Sequence, residues 1–331
     1  VWTVKNFSEA KSIILGTRGS ALALAQAEMA EHALREAFPG LEIERKIIKT
    51  TGDRRTDIPL SEVARAADLD KGVFTKELEV ALQSGEIDIA VHSLKDMPSL
   101  LDEEFLIAAI LPRASRKDVL IGKNPGGLAG LRQGARVATS SVRRRRLLES
   151  MRPDLEVVDI RGNVPTRIRK LHESAELQGI LLAKAGLCRL GLLRDGLVES
   201  NGEISYAEEL DETTFVPAAG QGAVALEIRA GDPDPLVLCE AVNDIDAMRL
   251  VAAERSFLAL LGAGCETPVG VAGEVGNGAK EQEEPGEILL RAVVFEDGED
   301  VPLRGEVLGT GDDPEGLAKR LLAAMKNLEP S

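Results

Sequence analysis

Three times in the first 170 residues a short apolar run passes into a turn and then into a helical pattern, an order that commits the chain to an α/β fold. Ile13-Ile14-Leu15 runs into Gly16-Thr17-Arg18-Gly19-Ser20, with Ser20 a good N-cap, and a helix is expected from Ala21 to about Phe38, where Pro39-Gly40 ends it. Arg136 to Thr139 reads as a strand, with Ser140 or Ser141 capping the helix that follows. Leu155 to Ile160 is the third strand, followed by Arg161-Gly162-Asn163 and another helix start. Between these units, Leu41 to Thr50 alternates as a strand and Lys76 to Ser84 is helical up to Gly85. Ile87 to Val91 is a buried strand, and Gly179 to Ala183 is a further one. Asp195 to Thr214 is acidic and reads as an irregular surface excursion. The last region differs: a helix from Asp246 to Leu261, a hairpin of Ile288 to Phe295 and Val301 to Leu308 around Asp297-Gly298, and a terminal helix capped by Asp313 with Pro314 at its first position.

With 331 residues the chain is long enough for two or three domains. Only 3% of its residues are aromatic, so its cores are expected to be built from Leu, Ile, Val and Ala. The net charge of −15 disfavours non-specific binding to nucleic acid or an anionic membrane, and makes any local basic cluster informative. Three cysteines, Cys188, Cys239 and Cys265, contain no CxxC pair, which argues against a disulfide framework or a zinc site and for a reducing compartment. Val1 to Lys11 has no long apolar run, so neither a signal peptide nor a membrane anchor is expected there.

Basic clusters stand out against this background. Arg132, Arg136 and Arg143 to Arg146 lie in a stretch without acids, and Arg161, Arg167, Arg169 and Lys170 form a second such stretch. Several sit at helix N-termini, where free N–H groups already favour anions, and the guanidinium fork grips carboxylates. A polyanion site and a solvated helix face both remain open from charge alone. Consecutive residues sweep around a helix, so Arg143 and Arg144 are expected inward and Arg145 and Arg146 outward. Asp96 follows a buried strand and could stabilise a developing cation, or could simply form a Lys95–Asp96 surface turn. Cys265 lies in a loop between Gly264 and Pro268, where a thiol is accessible as a nucleophile. Cys188 and Cys239 read as packing residues. Val216 to Ala223 carries two glycines before an apolar strand and lacks the Lys-Ser/Thr of a phosphate loop.

The order of these segments resembles that of the porphobilinogen deaminases. Gly16-Thr17-Arg18-Gly19-Ser20 through Gln26 looks like the family's opening motif, and Lys71-Gly72-Val73-Phe74-Thr75 like its active-site loop. Ala90-Val91-His92-Ser93-Leu94-Lys95-Asp96 matches the catalytic aspartate motif. Thr139-Ser140-Ser141-Val142-Arg143-Arg144, Arg161-Gly162-Asn163-Val164, Pro217 to Ala223 and Gly264-Cys265 follow in family order. Pro165 stands where the family often has glycine.

The resemblance implies an α/β fold: two periplasmic-binding-protein-like lobes with mixed sheets, plus a smaller α+β C-terminal domain. Residues 12–112 with 217–240 would form the first domain, 113–216 the second and 241–331 the third. It implies a transferase that condenses four porphobilinogen molecules head to tail, releasing ammonia, on a dipyrromethane cofactor held by a thioether to Cys265. Asp96 would be catalytic. Asp96, Lys95, Ser93, Ser141, Arg143, Arg144, Arg161 and Gly162 would contact the cofactor. Arg18, Ser20, Arg161, Arg167, Arg189, Gln221 and Lys71 would bind substrate. No metal is expected. A cytoplasmic or plastid monomer is implied, with no nucleic-acid or membrane partner and with product hand-off to uroporphyrinogen-III synthase. The alternative is a non-enzymatic two-lobed binding protein for a small polycarboxylate.

Overall fold

The computed structural model describes residues 12–54, 74–264, 267–276, 286–296, 298–299 and 301–326. Lys71, Asp297 and Cys265 lie outside the described residues, as does the opening segment up to Lys11. The chain divides into two compact units, one of residues up to 113 with 223–248 and one of residues 114–222 with those from 249 onward.

The first unit opens with strand β1 (Ser12–Thr17), helix α1 (Ala21–Ala37) and strand β2 (Glu42–Ile47). Ser20 caps α1, its Oγ accepting from the Ala23 N–H at 3.2 Å, and Gly40 turns the chain beyond the helix at φ +114°. Helices α2 (Thr51–Arg54) and α3 (Lys76–Gln83) precede strand β3 (Ile89–Ser93), and a 3₁₀ turn, Leu94–Asp96, leads on to strand β4 (Phe105–Ile110). β3 starts and ends two residues later than the expected Ile87 to Val91, so His92 and Ser93 belong to the sheet and Lys95 and Asp96 lie beyond it in the 3₁₀ turn.

Residues 114–222 carry strands β5 (Asp118–Gly122) and β6 (Arg136–Ala138), helix α4 (Val142–Met151), strand β7 (Glu156–Val158), helix α5 (Val164–Glu173), strand β8 (Leu177–Ala183), helix α6 (Lys184–Arg189) and strands β9 (Leu193–Arg194), β10 (Leu197–Ser200) and β11 (Glu203–Glu209). Among the described residues they form a seven-stranded mixed sheet in the order β7-β6-β8-β5-β11-β10-β9. The expectation of an irregular excursion over Asp195 to Thr214 is corrected by β10 and β11. Asn201 and Gly202 both take positive φ, the two-residue turn that suits the twist of a hairpin. One face of sheet packs Val119, Ile121, Ile168, Leu171, Ile180 and Leu182. Leu120, Val137, Leu147, Leu148, Leu181 and Phe215 pack on the other.

Strand β12 (Val224–Arg229) then returns to the first unit and inserts between β3 and β4, completing the order β2-β1-β3-β12-β4. β1 is parallel to β2 and β3, whereas β12 is antiparallel to both neighbours, so this sheet is mixed as well. Residues from α1, Ile89 and Val91 pack on one face with Leu238 and Cys239 of helix α7 (Pro233–Val242). Leu78, Ala81 and Leu82 of α3 cover Ala90 on the other. Helix α8 (Ile245–Leu260), strands β13 (Val269–Val275), β14 (Glu287–Val294) and β15 (Leu303–Thr310) and helix α9 (Pro314–Met325) build the smaller α+β portion around Phe257, Val271, Leu290 and Leu321. Asp313 caps α9 through the Gly316 N–H at 2.8 Å. Aliphatic residues dominate each of these cores, as the low aromatic content requires.

Candidate active site

In the first unit the carboxyl ends of β1 and β3 open on a cavity lined by residues that include Arg18, Ser20, Gln26, Phe74, Ser93 and Asp96. The topology explains why: both strands are parallel and end on the same edge, where open α/β sheets bind ligands. The Arg18 guanidinium lies 4.1 Å from the centre of the Phe74 ring, a cation–π contact that fixes a long side chain. Gln26 reaches from α1 to Ser93, its Nε2 donating to Oγ at 2.8 Å. Asp96 closes the 3₁₀ turn and lines the cavity, whereas its neighbour Lys95 is not among the lining residues.

In the second unit the arginine run meets an acid that it lacks in its own segment. Arg143 and Arg144 are 4% and 5% exposed, and both bind Asp118, which is fully buried at the start of β5. Arg143 Nη2 donates to Asp118 Oδ2 at 2.8 Å, and Arg144 Nε donates to Oδ1 at 2.9 Å. The Gln221 amide adds a bond at 3.0 Å, while it also donates to the Arg116 carbonyl at 2.6 Å. Burial pushes the Asp118 carboxyl up, but Arg143, Arg144 and the Gln221 amide together hold it below the usual carboxylate range. The inward and outward split within the run is as expected: Arg145 reaches Asp159 and Arg146 stacks on Phe295, both more exposed. The inward pair is an internal ion cluster, and Arg143 keeps its Nε without a hydrogen-bond partner.

Ser141, and not Ser140, caps α4, accepting from the Arg144 N–H at 3.4 Å. At α5, Asn163 is the cap, and Pro165 falls in the first helical turn, where a missing N–H costs nothing. Arg167 consequently keeps a regular helical position, with Nε donating to the Gly162 carbonyl at 2.7 Å. Gly162 sits at φ +116°, and Arg161 precedes it. Arg189 ends α6 and donates from Nη2 to the Gly222 carbonyl at 2.7 Å. Burial pushes its guanidinium down, and its Nε has no hydrogen-bond partner. Gly222 itself needs to be glycine: φ is +87°, and a Cβ would collide with the Ala114 carbonyl.

Among the described cysteines, Cys239 is buried as expected, and burial together with nearby Glu240 pushes its thiol up to about 12. Cys188 is exposed, which corrects the packing role expected for it; α6 turns that position away from Leu187, which the core takes instead. Sequence reasoning missed Asp118, Gln26 and Phe74. Phe74 and Gln26 stand inside quoted motifs, whereas Asp118 has no local signal because its partners lie 25 residues or more away. No helix among the described residues is long and apolar enough to cross a membrane.

These features define an α/β protein whose first unit presents an aspartate beside an arginine at strand ends and whose second unit concentrates buried guanidiniums around the N-terminus of a helix. The dipyromethane cofactor binding domain of porphobilinogen deaminase matches residues 13–236, and the C-terminal domain of the same family matches residues 248–327. The chain belongs to the porphobilinogen deaminase family. Porphobilinogen deaminase from Rubrobacter xylanophilus is 44% identical, over 95% of this chain and 93% of that protein. The protein of the same name from Roseiflexus sp. is 42% identical, over 93% of each. Among solved structures, the methionine binding protein MetQ aligns with a TM-score of 0.42 at 13% identity, covering 75% of this chain and 96% of that one.

Proposed function

We propose that this chain is a hydroxymethylbilane synthase: a transferase that condenses four porphobilinogen molecules head to tail, with release of ammonia, in tetrapyrrole biosynthesis. The observation that carries the proposal is Asp96 sharing one cavity with Arg18 and Ser20 in a chain whose residues 13–236 match the family's cofactor-binding domain. Membership of this family favours the enzyme over a non-enzymatic polycarboxylate-binding protein.

The donor set suits an acid-bearing pyrrole ligand. Arg143 and Arg189 keep buried Nε groups without hydrogen-bond partners. Ser93, Lys95, Asp96, Ser141, Arg143, Arg144, Arg161 and Gly162 would hold the dipyrromethane, with Cys265 as its anchor. That cofactor supplies a tethered pyrrole whose free α-position serves as the nucleophile.

The chain's own residues then have separable tasks. Arg18, Ser20, Arg161, Arg167, Arg189 and Gln221, with Lys71, bind the acetate and propionate of incoming substrate. Loss of ammonia from porphobilinogen leaves an electron-poor azafulvene-type cation. The Asp96 carboxylate accepts a hydrogen bond from the pyrrole N–H and stabilises that cation, an effect on the order of 3 kcal/mol in a water-poor site. After the new carbon–carbon bond forms, Asp96 assists loss of the α-carbon proton. Residues 12–112 with 217–240, 113–216 and 241–331 are the three domains of this reading. It places a monomer in the cytoplasm or a plastid, passing its product to uroporphyrinogen-III synthase.

The test is chemical. Intact-protein mass spectrometry of active material is expected to give a mass above that of the bare polypeptide, with peptide mapping placing the addition on Cys265. Cys265→Ser should abolish the addition, and Cys188→Ser should retain it. Asp96→Asn should keep the addition and substrate binding while turnover falls by at least a hundredfold. An active enzyme with the mass of its bare chain would overturn the proposal.

A further inference from the structure

On the face of the first sheet opposite the Gln26–Ser93 contact lies a charge cluster that the reaction above does not use. His92 on β3 and Glu227 on β12 share that face: Ala225 is the register partner of His92, and Glu227 stands two residues further along the same strand. His92 Nε2 is 2.9 Å from Glu227 Oε2, with the side chains 3% and 0% exposed. Neither Glu227 oxygen accepts a hydrogen bond of good geometry. A carboxyl group taken wholly out of water with no hydrogen bond either takes up its proton or is offset by an opposite charge, and the geometry here places a ring nitrogen against it. The nearby ring nitrogen can supply that charge only if the imidazole is protonated.

Glu79 on α3 faces the same cluster; burial, followed by the charge of Glu227, pushes its carboxyl up, with His92 opposing. Asp102, before β4, also acts on Glu79, and among the described residues Arg18 and Asp96 line the same cavity as His92. The adjoining residues of β1, Leu15 and Gly16, carry no charge. His92 is also a cavity-lining residue.

We propose that Glu227 keeps His92 protonated, and that this buried imidazolium–carboxylate pair is a positioning element for the cavity that contains Asp96. The pair is neutral as a whole. It therefore gives the cavity wall a fixed donor without adding net positive charge beside the aspartate that must stabilise a cation. Its role in turnover rests on the function proposed above; its protonation does not.

Histidine-selective ¹⁵N NMR on the full-length protein reads the protonation directly. The chain has three histidines, and His32, with its side chain 75% exposed, serves as the internal reference. At pH 7.5 the wild-type His92 ring is expected to carry protons on both nitrogens. In Glu227→Gln the His92 ring should become neutral at that pH. A neutral His92 in the folded wild type at pH 7.5 overturns the pairing. For the functional half, kcat for porphobilinogen is measured against pH. Glu227→Gln should lower kcat at least fivefold at pH 8 and move the basic limb of its profile to lower pH, because the ring loses its proton earlier. A superimposable profile would overturn the positioning role even if the spectra change. Since His92→Gln leaves Glu227 unpaired, it should unfold at lower urea than the wild type, and the double variant His92→Gln/Glu227→Gln should recover; no recovery counts against the pairing. Absence of wild-type turnover would sink the proposed function and leave the spectra to judge the pair.

Discussion

Asp118 shows how one residue can hold several others in place. Its carboxylate collects Arg143, Arg144 and Gln221, so three residues singled out for ligand binding depend on an acid that has no ligand role of its own. Removing that charge leaves two buried guanidiniums uncompensated. Asp118→Asn is therefore expected to lower stability by about 3–5 kcal/mol, read from urea unfolding. The pH dependence has a definite sign. The folded carboxyl sits below its ordinary value, so its stabilisation is complete above roughly pH 4 and is lost as pH falls through the folded value. The wild type should consequently lose stability more steeply on acidification than Asp118→Asn. Thiol reactivity makes a second residue-scale test. Iodoacetamide should label Cys188 in the folded protein and leave Cys239 unmodified, since burial holds the Cys239 thiol protonated; peptide mapping by mass spectrometry checks both.

At the level of helices and strands, the turn chemistry was the most legible part of the sequence. Ser20, Asn163 and Asp313 cap their helices through bonds to N–H groups three residues on, as short polar residues before apolar periodicity should. Asn163→Ala should cost about 1 kcal/mol in thermal or urea unfolding. Gly222→Ala should cost more, about 1–3 kcal/mol, because it combines a positive φ with a collision against the Ala114 carbonyl. The hairpin of β10 and β11 was hidden although Asn201-Gly202 signals it. Its outward face mixes Glu199 with exposed Leu197, Ile204 and Tyr206 while residues such as Val198 and Ser205 are buried, so no apolar alternation marks the strands. β5 was hidden for the opposite reason: it is buried along its whole length, too short to show a period, and begins with an aspartate. The site followed the same rule. Asp96 and Arg18 were legible because strand-end motifs carry them, whereas Asp118, Glu227 and their partners meet only through pairing distant in sequence.

For the molecule as a whole, the decisive feature is the placement of β12. Among the described residues β12 is the only strand that pairs with β4, and β12 arrives more than 110 residues after it. Residues 12–113 expressed alone are thus expected to lack a cooperative unfolding transition, by far-ultraviolet circular dichroism and calorimetry. Joining 223–248 to them through a short flexible linker should restore it. Cooperative melting of the shorter fragment would show that β4 finds another partner. Residues 114–222, by contrast, contain every strand of their sheet without interruption. On the ribosome this gives a fixed schedule. The middle lobe has all its pairing partners as soon as residue 209 has left the exit tunnel. The lobe made first must wait with an open seam until residue 229 follows, and it is during that interval that a nascent chain of this kind would be most in need of a chaperone.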